Sequence, residues 1–189
     1  MNEQAVTDPI FTVGHSNRSL GEFIEVLRSA DVRAVIDIRR FPASRRHPHF
    51  NSGPLRDALA SSGITYRHFP ELGGYRVNPE TLAASSNDAW PEGFLRNYAD
   101  YAMTDAFQGA LDRLTATLQP RSVLMCAEKQ WGDCHRQIVA DHLISSGHHL
   151  VHLIEAHMHE AATLTPFATR CAAGTICYPA AHAQLRLDL

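Results

Sequence analysis

The chain has 189 residues, a formal net charge of −3 and 12 histidines, a length that suits one well-buried domain and falls short of two of ordinary size. Hydrophobic residues at 44% and charged residues at 20% exclude a disordered chain or a coiled coil. The slight acidity excludes bulk attraction to nucleic acid while leaving room for a local basic patch.

Taken in chain order, residues 10–14 (Ile-Phe-Thr-Val-Gly) read as a short buried strand. A helix follows, because Ser19 and Glu22 have capping-box spacing and Leu20, Phe23, Ile24 and Leu27 recur at i, i+3, i+4 and i+7. Residues 33–38 read as a second strand. Pro54, placed at a first helical position, and Gly63, just past the end, bracket a second helix. A third strand is expected at 64–69. Residues 70–91 carry Gly73, Gly74, Pro79 and Pro91 with weak periodicity, so a long loop is expected, of the kind that serves function or moves. Helices are expected near 92–104 and 106–118, a fourth strand at 122–126, a helix at 134–146 stopped by Gly147, and a fifth strand at 149–154. The last 35 residues are poorly patterned and read as irregular structure.

Strands alternating with helices predict an α/β fold: one Rossmann-like three-layer domain over residues 1–189, its mostly parallel sheet of about five strands lying within 10–155 and an irregular segment at 156–189. Ligands of such sheets bind beyond the carboxyl ends of the strands, and three constellations fall there. The turn Gly14-His15-Ser16-Asn17 leads toward a helix N-terminus, a place to hold an anion, although Ser16 and Asn17 also serve as plain turn residues. After the second strand, Arg39, Arg40, Arg45 and Arg46 run with no acid between them and with Phe41, His47, His49 and Phe50 interleaved. Guanidinium groups bind phosphate and aromatic rings stack bases. The plainer alternative is a solvated loop with one or two arginines paired to Asp37, Glu71 or Glu128.

The third constellation is Cys126-Ala-Glu128 followed by Cys134-His135-Arg136. Cys126, Cys134 and His135 supply atoms for a metal, but the gap between the cysteines and the adjacent Cys-His depart from common ligand spacings, so no metal or other cofactor is the expectation. Either thiol can act as a nucleophile with His135 or His15 as base, and Glu128 can work at an oxocarbenium-like centre. A buried structural cysteine and a Glu128–Arg136 ion pair are the corresponding structural alternatives. Cys171 and Cys177 receive no partner. With no apolar run of the roughly 18 residues that span a membrane, and no signal-peptide pattern at the N-terminus, the expectation is a soluble cytoplasmic protein with reduced thiols and no membrane partner. The oligomeric state stays open.

These residues resemble a family of bacterial and archaeal proteins catalogued as domain of unknown function 488. The resemblance covers roughly residues 10–155 and rests on Thr12-Val-Gly-His-Ser-Asn17, Asp37-Ile-Arg39 with Pro42-Ala-Ser44, Leu72-Gly-Gly74, and Cys126-Ala-Glu128 with Cys134-His-Arg136. It implies a Rossmann-like α/β domain and no reaction. The order of Asp37-x-Arg39, Cys126 and Arg136 is also similar to that of rhodanese-like sulfurtransferases, except that Glu128 and Asp133 interrupt the loop that would cradle an anion.

The function expected first is an enzyme acting on a nucleotide or nucleic acid, hydrolysing or transferring at an N-glycosidic bond. In that scheme Glu128, His15, Cys126 and His135 line the reaction centre, Arg39, Arg40, Arg45, Arg46 and Arg136 hold phosphate with Ser16 and Asn17, and Phe41 or Tyr75 stacks the base. Cysteine-dependent sulfur transfer or hydrolysis, and a non-catalytic nucleotide-binding module, are the alternatives.

Overall fold

The computed structural model describes residues 8–76, 85–171 and 174–180. Its elements run β1 (Ile10–Gly14), α1 (Leu20–Ser29), β2 (Ala34–Asp37), α2 (Ser52–Ser61), β3 (Thr65–His68), α3 (Phe94–Ala102), α4 (Asp105–Thr115), β4 (Ser122–Cys126), α5 (Arg136–Ser145), β5 (Leu150–Glu155), β6 (Met158–Ala161), β7 (Thr169–Arg170) and β8 (Ile176–Cys177). The strands form a six-stranded sheet in the order β3-β2-β4-β1-β5-β6 and a small β7-β8 hairpin. All pairings among β1 to β5 are parallel, and β6 runs antiparallel on β5.

Alternation along each strand splits the core into two layers. Phe11, Val13, Val35, Val123 and Met125 face α1 and α2, where Phe23, Leu27, Leu55 and Leu59 meet them. Ile10, Ile36 and Leu124 face the other way, onto Tyr98 of α3, Phe107 and Leu114 of α4, and Ile138 of α5. Helices therefore cover both faces, which explains why β1, β2 and β4 are buried at every position. The capping box forms as its spacing predicts: the Ser19 amide donates to Glu22 Oε2 at 2.7 Å and the Glu22 amide donates to Ser19 Oγ at 3.3 Å.

Two expectations need adjustment. α2 begins at Ser52, so Pro54 stands third in its first turn, where a missing N–H is equally harmless. The C-terminal segment is more ordered than its pattern implied. It adds β6 as an antiparallel edge, and Cys171 and Cys177, to which the sequence assigned no partner and for which reduced thiols were expected, are joined in a disulfide across the hairpin. Part of the expected long loop, with Pro79, and residues 181–189 of the expected irregular segment lie outside the described residues. Among the described residues no helix is long and apolar enough to cross a membrane.

Candidate functional site

The sheet order locates the site. From β1 the chain crosses over β4 to reach β2, whereas from β4 it crosses over β1 to reach β5, by helices on opposite faces. The connections diverge between β1 and β4, and a crevice opens at such a switch point. The residues leaving these two strands are Gly14-His15 and Cys126-Ala127-Glu128. The loops stay paired beyond the strands, with the His15 amide donating to Cys126 O at 2.9 Å and the Ser16 amide to Ala127 O at 2.7 Å. A Cβ on Gly14 would sit 1.7 Å from Glu128 O, so only glycine lets the two strand ends approach this closely.

On one side of the crevice stands a locked polar cluster. Asp37, wholly buried, accepts from Arg39 Nε at 2.9 Å, Arg39 Nη2 at 2.6 Å and the Tyr66 hydroxyl at 2.7 Å. Arg39 Nη1 lies 3.1 Å from His15 Nε2, while His15 Nδ1 lies 2.8 Å from Ser16 O. Arginine can only donate and a carbonyl can only accept, so the His15 proton is on Nδ1 and its Nε2 accepts. Burial, and then the Arg39 charge, lower the His15 pKa to about 4. Its ring stacks on Phe50 at 4.2 Å.

On the other side the sulfur groups gather. Cys126 Sγ lies 3.0 Å from Glu128 Oε2 and 3.7 Å from His135 Nδ1, and Cys134 Sγ lies 3.7 Å from the same Nδ1. His135 Nε2 is 3.1 Å from Ile38 O, so it carries the ring proton and Nδ1 presents a lone pair to both sulfurs. Arg136 Nε donates to Cys134 Sγ at 3.4 Å. Burial first, then Cys134 and Glu128, push the Cys126 thiol well above its usual range. Burial opposes ionisation of Cys134 too, but Cys126, His135 and Arg136 together hold that thiol well below the usual range. Burial and the Cys134 charge raise the Glu128 carboxyl.

These two clusters bound a groove with two lobes. One, of about 460 Å³, is lined by His15, Ser16, Asn17, His47 and neighbouring residues, and the other, of about 240 Å³, by Arg40, Tyr75, Phe94, Cys126 and His135 among others. Arg39, Phe41, Ala127 and Glu128 line both. A cavity of about 480 Å³ beside α1 and β6 is as large but lies away from this sheet edge.

The sequence model for domain of unknown function DUF488 matches residues 19–143. The chain belongs to this family. No curated protein and no solved structure matches it. The family match runs from the cap of α1 into α5, so it contains the Arg39, Glu128 and Cys134-His135-Arg136 segments and leaves the Gly14–Asn17 turn just outside.

The sequence-predicted residues separate in the structure. Glu128, His15, Cys126, His135, Ser16, Asn17, Phe41, Arg39, Arg40 and Tyr75 come together around the groove. Arg45 and Arg46 are exposed and line neither lobe. Arg136, expected to hold phosphate, is 1% exposed. It donates to the Glu128 and Lys129 carbonyls, so it shapes the loop instead of facing a ligand, and it makes its bond to the Glu128 backbone and not to the carboxylate. In the turn expected to help hold an anion, the His15 and Ser16 amides are consumed by pairing with the β4 extension. The expected alternative of an arginine paired with Asp37 is realised by Arg39. Sequence reasoning missed Phe94 and Arg18, and named His47 only as part of the arginine-rich run. Arg18 is buried, donating to the Gly14 and Ile154 carbonyls and pairing with Glu155, which ties the ends of β1 and β5 together. Its place two residues before the α1 helix was the available signal. Phe94 carried none, because its approach to the site depends on how α3 packs.

Proposed function

We propose that this protein is an enzyme that hydrolyses a C–N bond in a nucleotide or nucleic-acid-like substrate, with the N-glycosidic bond as one candidate, and that Glu128 moves the proton. The observation that carries this reading is the position of the Glu128 carboxylate. It is the one carboxylate among the residues lining either lobe of a groove at the switch point of the sheet, and it lines both. His15 spends both ring nitrogens on Arg39 and Ser16, and His135 spends Nε2 on Ile38. Glu128 is therefore the group to which we assign proton handling.

The rim supports the substrate class. Arg40 is exposed at the mouth, with Arg45 and Arg46 farther along the same loop, in reach of a phosphate chain longer than the groove. Phe41 at 66% exposure, with the Arg40 guanidinium 5.7 Å over its ring, and Tyr75 at 71% offer aromatic surface on which a base can stack. A cysteine nucleophile has less support, since Cys126 is 3% and Cys134 0% exposed.

The test is turnover of a panel of nucleosides, nucleotides and oligonucleotides, scored by chromatography for base release and by ammonia assay. Glu128→Gln is expected to lose about 10²- to 10⁴-fold in rate, the span typical of a lost proton-transfer group. Arg40→Glu is expected to weaken oligonucleotide binding and flatten its salt dependence. Wild-type turnover by Glu128→Gln, or no turnover of any panel member, overturns the reading.

A further inference from the structure

We propose that Cys126, Cys134 and His135 bind one zinc ion, leaving a fourth coordination position open to the groove beside Glu128. Cys126 Sγ, Cys134 Sγ and the His135 ring nitrogen all lie within 4.8 Å of one another. With zinc bonds of about 2.3 Å to sulfur and 2.0 Å to nitrogen, a tetrahedral shell sets sulfur and nitrogen ligands roughly 3.5 Å apart. Both sulfurs stand 3.7 Å from Nδ1, so closing on the ion needs only small movements.

The surroundings are those of a ligand set. A metal-binding histidine characteristically donates its second nitrogen to a carbonyl or carboxylate, which fixes the ring and aims the free lone pair. His135 does this through Nε2 and Ile38 O, and its Nδ1 faces the two sulfurs. Arg136 Nε is an outer donor to Cys134 Sγ. The three side chains are 3%, 0% and 2% exposed, so the sulfurs are shielded while Cys126 and His135 still border the groove. A Cβ on Gly74 would come 2.7 Å from His135 Nδ1, so glycine at this position keeps the space beside the nitrogen clear. The unusual spacing has a structural explanation. Cys126 ends β4, Cys134 and His135 precede α5, and the intervening loop folds back to bring them together. Glu128 Oε2, 3.0 Å from Cys126 Sγ, then stands next to the open position without being required as a ligand.

The chemical consequence rests on the function proposed above. Two thiolates and an imidazole with a nearby non-ligand glutamate form the donor set that zinc deaminases of nucleobases use. Zinc here would supply a bound water of lowered pKa: one of its protons would pass through Glu128 to the ring nitrogen, the hydroxide would add to the amine-bearing ring carbon, and the hydroxyl proton would pass through Glu128 to the amino nitrogen, which would leave as ammonia with a carbonyl in its place. The two-carboxylate arrangement of glycoside hydrolysis would need a second acid, and among the residues lining the two lobes Glu128 is the sole carboxylate.

The test uses the reduced full-length chain loaded with Co²⁺ as a zinc analogue. The expected result is one Co²⁺ per chain with thiolate-to-cobalt charge-transfer absorption, displaced by Zn²⁺ and lost in Cys126→Ser. Glu128→Gln is expected to keep that spectrum. A wild-type chain whose thiols titrate as free and which shows no charge-transfer band overturns the metal site, whether or not Glu128→Gln affects turnover. Metal binding together with undiminished turnover by Glu128→Gln overturns the role of Glu128 and leaves the metal site standing. Release of free base instead of ammonia by the zinc-loaded chain overturns the deamination step alone.

Discussion

Asp37→Asn is the sharpest probe of how this fold holds its site. The substitution keeps the side chain's shape and removes one charge. Asp37 is 0% exposed and accepts four hydrogen bonds, from the Arg39 amide at 3.0 Å, Arg39 Nε at 2.9 Å, Arg39 Nη2 at 2.6 Å and the Tyr66 hydroxyl at 2.7 Å. Asparagine cannot neutralise the guanidinium, which is itself 7% exposed, and one of its two terminal atoms is a donor facing donors. Removing one partner of a buried ion pair costs about 3–5 kcal/mol, a large share of the roughly 5–15 kcal/mol by which domains are stable. The contacts of Arg39 with His15 Nε2 and Phe50 O survive, which places the expected loss toward 3 kcal/mol. Urea unfolding followed by circular dichroism measures it, and the cycle with Arg39→Leu apportions it. The double variant is expected to be at least about 2 kcal/mol more stable than the two single losses sum to, because neither charge is then stranded. A single-variant loss below about 1 kcal/mol, or additive losses, would refute the account of Arg39 as a charge held in place by Asp37.

The same packing sets two other expected outcomes. Burial lowers the pKa of His15, His142 and His152 to about 4 each, so below their ordinary value of 6.5 the unfolded chain takes up protons that the native fold refuses. Stability is then fully present above pH 6.5 and declines toward pH 4, by about 4 kcal/mol for the three together between pH 7 and 5.5. Urea midpoints at those two pH values check this, and an unchanged midpoint contradicts it. Gly14→Ala drives a Cβ to 1.7 Å from Glu128 O, which must separate β1 from the loop after β4. The expected loss exceeds about 2 kcal/mol, and normal stability would show that the strand ends do not meet there.

Much of the fold was legible in the sequence because it is written in local patterns. The capping box at Ser19 and Glu22, the apolar stripe of α4 and the unbroken apolar runs of β1 and β4 each need only neighbouring residues to be recognised. β6 was not legible, since its four residues, Met158 to Ala161, are all exposed and owe their strand geometry to pairing with β5. The candidate site divides in the same way. That chemistry would collect after β1, β2 and β4 followed from the alternation of strands and helices. Which arginines face the groove did not follow. Arg39 and Arg136 could be read in the sequence either as phosphate ligands or as members of an ion pair, and folding decides by placing each beside buried acceptors. The meeting of Cys126 with Cys134 and His135 was equally hidden, because eight positions along the chain say nothing about distance until the loop between β4 and α5 closes. Sequence supplies the reactive residue types and roughly the sheet edge where they gather; tertiary structure decides which of their atoms stay free, because burial makes the donors and acceptors that meet inside the fold satisfy one another first.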